Sequence, residues 1–136
     1  MVSIVALRIG LDLVSVAEVE EAMRLHADRY LTRVYSAREL DDCRGSSSEI
    51  VAERLAGRFA AKEAAIKLLR PGAEEHEQGV GWSSIEVVRD RSGAPELTLT
   101  GRAAELARDA GLTGLSVSIT HERTFAAAVV VGEVSQ

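Results

Sequence analysis

The sequence is poor in the residues that mark disulfide-stabilised, zinc-binding and membrane-spanning proteins. Among 136 residues it has one cysteine, two prolines and a 4% share of aromatic residues. The single cysteine, Cys43, excludes both an internal disulfide framework and a cysteine cage for zinc. Residues 1–11 lack the features of a signal peptide, and no apolar run reaches transmembrane length. We therefore expect a cytoplasmic protein that does not bind a membrane.

Positive charge is also scarce, with 16 Lys and Arg against 21 Asp and Glu and a net charge of −5. Nucleic acids and anionic membranes need a basic field, so we expect neither as a partner, and any anionic ligand requires a local cluster of cations. The 46% apolar share predicts a core of Ala, Val, Leu and Ile that also holds the single tryptophan, Trp82. The length suits a single domain, residues 1–136.

Hydrophobic periodicity and turn signals predict an α+β domain in which a long helix packs on an antiparallel sheet. Two capping boxes, Ser36 with Glu39 and Ser46 with Glu49, predict two helix starts. The last strand is apolar on both faces and is expected at the centre of the sheet. In chain order the predicted elements are a strand at 4–11, helices at 15–25, 28–34, 36–44 and 46–69, a loop at 73–81, strands at 84–89 and 96–99, a helix at 101–110, and strands at 115–120 and 125–131.

The long predicted helix contains residues 55–67, L-A-G-R-F-A-A-K-E-A-A-I-K, which are mostly strong helix formers. Relative to Phe59, Glu63 lies about 40° around the helix, at the border of the apolar stripe. Lys67 follows Glu63 by four positions, so one interpretation is an exposed salt bridge worth a few tenths of a kcal/mol. The other is a carboxylate at the edge of the core that binds a hard metal ion beside cations. On spacing alone the salt bridge is the commoner case.

A second carboxylate, Asp12, follows Gly10 at the predicted exit of the first strand. It could cap the next helix or act as a ligand, and both interpretations stay open. Together with Glu63 it would offer oxygen ligands only, which favours Mg²⁺ over zinc. Such an ion among several cations is typical of polyphosphate binding or phosphoryl transfer, although no Walker A or dinucleotide motif is present. The candidate cations are Arg58, Lys62, Lys67 and His121.

Four segments in order carry a resemblance to a known family. They are Gly10-Leu-Asp12, residues 55–64 followed by Lys67, Gly93-Ala-Pro95, and Ser118-Ile-Thr-His121 before A-A-A-V at 126–129. With them the sequence resembles the holo-[acyl-carrier-protein] synthases, which are small 4′-phosphopantetheinyl transferases. The resemblance spans nearly the whole chain, and the segment F-A-A-K-E-A-x-x-K is its most specific part.

The resemblance implies transfer of 4′-phosphopantetheine from coenzyme A to a serine of an acyl carrier protein, with release of adenosine 3′,5′-bisphosphate. It also implies that Asp12 and Glu63 are Mg²⁺ ligands, and that Lys67 joins them in catalysis by contacting the pyrophosphate. Glu63, directly or through water, would be the base. The family's trimer, with sites between subunits, implies a homotrimer. The coenzyme A-binding residues implied are Arg58, Lys62, Lys67, Pro95, Thr120 and His121.

The sequence departs from the family pattern at two places. Relatives commonly carry Arg six residues after the metal-binding Asp, where this chain has Glu18. Docking of an acidic carrier would then depend on other cations, such as Arg24, Arg29 or Arg33, or on a different carrier. Residues 68–72 read L-L-R-P-G instead of the family's G-T-G loop. A catalytically silent homologue that only binds a carrier or a nucleotide is therefore the alternative, which Glu18 favours and the retained Asp12, Glu63 and Lys67 oppose.

Overall fold

The computed structural model describes residues 4–72 and 80–135 and confirms an α+β fold. Most of the predicted loop at 73–81 lies outside the described residues. A single 3₁₀ turn, Trp82–Ser84, precedes the second strand. The elements are β1 Val5–Ser15, α1 Val16–Val34, α2 Ala37–Asp42, α3 Ser48–Leu69, β2 Ile85–Arg89, β3 Pro95–Leu99, α4 Gly101–Asp109, β4 Leu112–His121 and β5 Phe125–Ser135.

The main sheet is antiparallel with the strand order β1-β5-β4, so the last strand is central, as predicted. The strands β2 and β3 form a separate antiparallel hairpin. The long helix α3 packs on the main sheet and supplies a large part of the buried core, chiefly through alanines. Small side chains on this face let the helix lie close to the strands. No helix among the described residues is long and apolar enough to cross a membrane.

The first strand is longer than the sequence predicted, and only one of its faces is buried. It pairs with β5 from Val5 opposite Ser135 to Ser15 opposite Phe125, so Asp12 lies inside the strand and not at its exit. The apolar residues at 4–11 suggested a strand buried on both faces. The structure instead leaves Leu7, Ile9, Leu11 and Leu13 between 59% and 66% exposed, because α3 covers only the other face.

The starts of α2 and α3 lie within one residue of the predicted capping boxes. The capping box of Ser36 and Glu39 is present at the start of α2. The N-cap of α3 is Ser47, whose hydroxyl accepts from the Ile50 N–H, so the predicted box starting at Ser46 is wrong by one residue. The break predicted between the helices at 15–25 and 28–34 is present within α1, at Ala27, which has the non-helical angles φ 44° and ψ −123°.

Candidate active site

The three residues predicted to be catalytic lie where β1 meets α3. The ammonium nitrogen of Lys67 is 2.9 Å from Asp12 Oδ1 and 2.9 Å from the carbonyl oxygen of Leu11. Glu63 precedes Lys67 by one helical turn, so both project on the same side of α3. The surface salt bridge between Glu63 and Lys67 is not formed, because the Lys67 ammonium pairs with Asp12 instead. The Lys67 side chain is 54% exposed, so its pair with Asp12 adds less than about 1 kcal/mol to stability.

The Glu63 carboxylate is half-buried and is held by Trp82. The indole N–H of Trp82 donates to Glu63 Oε1 at 2.8 Å. The second oxygen, Oε2, accepts no hydrogen bond from any residue that the structure describes. Trp82 was expected only as a core residue, and its contact with a candidate catalytic group was missed. The sequence offered no signal for it, since the contact joins residues 19 positions apart.

The donor set of Asp12 and Glu63 suits a hard divalent cation. Both residues offer carboxylate oxygens, and Glu63 Oε2 is left unbonded by the described residues. Within residues 4–72 and 80–135 no group of three His, Cys, Asp or Glu side chains could hold a metal ion. Asp12 and Glu63 would therefore need phosphate oxygens and water to complete the shell, as Mg²⁺ prefers.

Lys62, predicted to bind coenzyme A, is instead part of the core. Its ammonium group is 2.8 Å from Glu39 Oε1 and also donates to the carbonyl oxygens of Trp82 and Ile85. Burial lowers the pKa of Lys62, and the Glu39 carboxylate opposes that shift. Glu39 Oε2 accepts from the Val87 N–H, which completes a buried network. A side chain with 1% exposure and three partners cannot reach a ligand, so this prediction is wrong.

Three of the other predicted coenzyme A-binding residues line one cavity on the opposite flank of α3. The cavity has a volume of about 170 Å³ and is bounded by Arg58, Val87, Arg89, Gly93, Pro95, Ile119 and His121. Arg58 is only 8% exposed, and its Nε atom has no hydrogen-bond partner in the described part of the chain. An unpaired buried guanidinium nitrogen is costly, so a ligand acceptor here would satisfy it.

His121 lies at the end of β4 and forms part of the wall of this cavity. Its imidazole is held by Glu53, which does not line the cavity. Its Nδ1 lies 2.7 Å from Glu53 Oε1, a contact that sequence reasoning missed. The guanidinium groups of Arg58 and Arg89, together with the imidazole of His121, suit an anionic ligand.

Thr120 does not belong to this cavity. Because β4 extends through His121, consecutive side chains point to opposite faces, and Thr120 lies opposite Ala127 on the exposed face. Thr120 therefore lies outside the cavity that Arg58, Pro95 and His121 line.

A third feature is a cavity of about 450 Å³ on the other side of Trp82. It is lined by His26, Arg29, Tyr30, Arg33 and Trp82. The guanidinium carbon of Arg33 lies 5.8 Å from the centre of the Trp82 ring, within cation–π range. Arg24, also named as a docking cation, instead pairs with Glu21 at 2.7 Å.

Comparison with known proteins identifies relatives over nearly the whole chain. The family model of the 4′-phosphopantetheinyl transferase superfamily matches residues 8–130. A holo-[acyl-carrier-protein] synthase of Chloroflexus aurantiacus is 42% identical over 90% of this chain and 94% of its own length. A synthase of that name from Halothermothrix orenii is 39% identical over 92% and 95% of the two chains.

Solved structures of holo-[acyl-carrier-protein] synthases also align over nearly the whole chain. The Helicobacter pylori holo-[acyl-carrier-protein] synthase in complex with coenzyme A aligns with a TM-score of 0.75 at 31% identity, over 91% of this chain and 98% of that one. The ACPS–CoA complex of Chronobacterium ammoniagenes aligns with a TM-score of 0.82 at 32% identity, over 96% and 98% of the two chains.

Proposed function

The chain belongs to the 4′-phosphopantetheinyl transferase superfamily, and we propose that it transfers 4′-phosphopantetheine from coenzyme A to a serine hydroxyl of an acyl carrier protein. The observation that carries this proposal is the contact of Lys67 with Asp12 beside Glu63, which gathers two carboxylates and a cation at one exposed place. A cytoplasmic location is part of the proposal, since one buried, unpaired cysteine suits a reducing compartment.

In the proposed reaction the serine oxygen forms a bond to the phosphorus that carries the pantetheine arm. The bond from that phosphorus to the bridging oxygen of the pyrophosphate breaks, and adenosine 3′,5′-bisphosphate leaves. Glu63 accepts the serine proton, directly or through water. The Lys67 ammonium would neutralise charge on the pyrophosphate as the bond breaks. Mg²⁺ held by Asp12 and Glu63 would supply further neutralisation of that charge.

The cavity containing Arg58 and His121 would hold the nucleotide end of coenzyme A. Arg58 and Lys67 are nine residues apart on α3, which places them about 180° apart around the helix and about 13 Å apart along it. Arg58 faces β2, β3 and β4, whereas Lys67 faces β1 at the other edge of the sheet. The sheet and α1 pack against the helix between these two flanks. The two half-sites of a single chain therefore face in opposite directions from α3.

We therefore propose that each site is completed by two copies of the chain, in a homotrimer. One copy would supply Asp12, Glu63 and Lys67, and its neighbour would supply Arg58 and His121. The bare face of β1 supports an oligomer, because four large apolar side chains in a row are unusual on the surface of a monomer. A closed ring of three copies would cover this face by heterologous contacts.

The carrier protein would dock on the cavity beside Trp82, where Arg29 and Arg33 offer positive charge next to Glu63. Glu18 is exposed in the first turn of α1 and would repel an acidic carrier.

The decisive test is mass spectrometry of an apo carrier protein incubated with this protein, coenzyme A and Mg²⁺. The proposal predicts a gain of about 340 Da, the mass of the phosphopantetheine group. Glu63→Gln and Asp12→Asn should each reduce the rate at least about 100-fold with unchanged far-ultraviolet circular dichroism. If several different carriers gain no mass while coenzyme A still binds, the chain is a binding protein and not a transferase.

A further inference from the structure

Trp82 forms hydrogen bonds with two consecutive residues of α3, Lys62 and Glu63. The Lys62 ammonium donates to the Trp82 carbonyl oxygen at 3.1 Å, and the Trp82 indole N–H donates to Glu63 Oε1 at 2.8 Å. Lys62 is itself fixed in the core by its ion pair with Glu39. The backbone of Trp82 is thus anchored to the same helix that carries the carboxylate its ring contacts.

The indole ring is also restrained on its faces. The Phe59 ring lies 5.9 Å away, centre to centre, at an angle of 42°. The Arg33 guanidinium lies on the ring at 5.8 Å. A side chain held by its backbone, its edge and its ring has few alternative rotamers, so its N–H keeps a fixed direction.

A fixed N–H donor on Oε1 restricts the orientation of the Glu63 carboxylate. A hydrogen bond to a charged carboxylate is stronger than one between neutral groups, and it holds the carboxylate plane in one orientation. With Oε1 engaged, Oε2 is the oxygen that remains for reacting groups. Removal of a hydrogen-bond partner of a metal ligand typically lowers metal affinity or activity 10- to 100-fold.

We propose that Trp82 is a positioning residue that orients the Glu63 carboxylate, an inference that rests on the proposed transferase function for its catalytic consequence. Trp82 does not touch the reacting atoms. It acts through Glu63, by deciding which carboxylate oxygen is presented and in which direction.

The contact can be tested without any substrate, because Trp82 is the only tryptophan of the chain. Its indole N–H gives a single signal in a ¹⁵N–¹H spectrum. Glu63→Ala should make that N–H exchange with water at least about tenfold faster. The control is Glu53→Ala, which removes a carboxylate of the same helix that contacts His121 and should leave the indole signal unchanged. An indole exchange rate that Glu63→Ala does not alter overturns the proposal.

The catalytic consequence is tested with Trp82→Phe and with benzothienylalanine at position 82, which keeps the shape of indole but replaces the N–H with sulfur. Both should lower kcat about 10- to 100-fold, leave KM for coenzyme A within about twofold, and weaken Mn²⁺ binding measured by electron paramagnetic resonance. Phe59→Leu, which loosens the same ring but keeps the N–H, should change kcat less than about threefold.

Wild-type kcat and Mn²⁺ affinity in the benzothienylalanine protein would overturn the proposal. If the wild-type protein itself transfers nothing, the proposed function fails, and the indole exchange rates still decide whether Trp82 holds Glu63.

Discussion

A Cβ atom added to Gly10 would lie 1.8 Å from the carbonyl oxygen of Ala64. The strand β1 and the helix α3 are therefore in direct backbone contact at this point. Asp12 is two residues further along the strand, on the same face as Gly10, and Glu63 immediately precedes Ala64. The glycine thus sets the separation of the two candidate metal ligands.

Gly10→Ala should both destabilise the protein and impair transfer. The new methyl group would force the strand away from the helix, at a cost of at least about 1–3 kcal/mol in the free energy of unfolding. Chemical denaturation and the carrier mass assay measure the two effects. The matched control is Gly114→Ala in β4, where an added Cβ meets nothing within 4 Å. Equal stability of the Gly10 and Gly114 variants would contradict the close contact.

Ala27→Gly should stabilise the protein. Ala27 has φ 44° and ψ −123°, a conformation that glycine adopts readily and alanine does not. Relief of this strain should raise the free energy of unfolding by about 1 kcal/mol, even though glycine is normally unfavourable in helices. Ala22→Gly, in the regular part of the same helix, should lower it by about 0.5–1 kcal/mol. A loss of stability in both variants would mean that the kink is absent.

The Cys43 thiol should make stability fall at alkaline pH. Burial raises its pKa from 9.0 to about 11. Between these values the thiol ionises only in the unfolded state, so its contribution is complete below pH 9 and is lost as the pH rises towards 11. Urea denaturation should show a loss of about 1 kcal/mol between about pH 8 and 10 that Cys43→Ala lacks. Parallel pH profiles for the two proteins would contradict a buried thiol.

Glu18→Arg should tighten binding of an acidic carrier protein. The substitution replaces repulsion with attraction at the exposed start of α1, and salt should weaken the gain because exposed charges are screened. Isothermal titration calorimetry at low and high salt measures it. Glu49→Arg changes the same charge at the start of α3 and should have little effect. Unchanged affinity in the Glu18 variant would place that residue outside the docking surface.

The sequence predicted most of the fold because its signals are local. Hydrophobic alternation, turn residues and the Ser36 capping box predicted the order of the elements. The two apolar faces of the last strand predicted its central position. Asp12, Glu63 and Lys67 were candidates from their chemistry and position, and the family resemblance added their roles. The structure shows the contact of Lys67 with Asp12, and the catalytic roles stay a prediction.

The errors at the site have a common physical cause, because each depends on contacts between distant segments. Lys62 matched a motif position, but its ammonium group is turned into the core by Glu39, 23 residues earlier. Trp82 contacts Glu63, 19 residues earlier, and Glu53 contacts His121, 68 residues later. Local patterns carry no information about such partners.

The central claim, that two copies of the chain complete each site, is tested by subunit complementation. Lys67→Ala and Arg58→Ala carry defects in different half-sites and should each be inactive. Co-expressed with different affinity tags and purified through both, they should recover transfer, at about a third of wild-type activity, because every mixed trimer has one intact site of three. Mixed oligomers as inactive as either parent would contradict the shared site, and full activity in either single variant would contradict the assignment of its half.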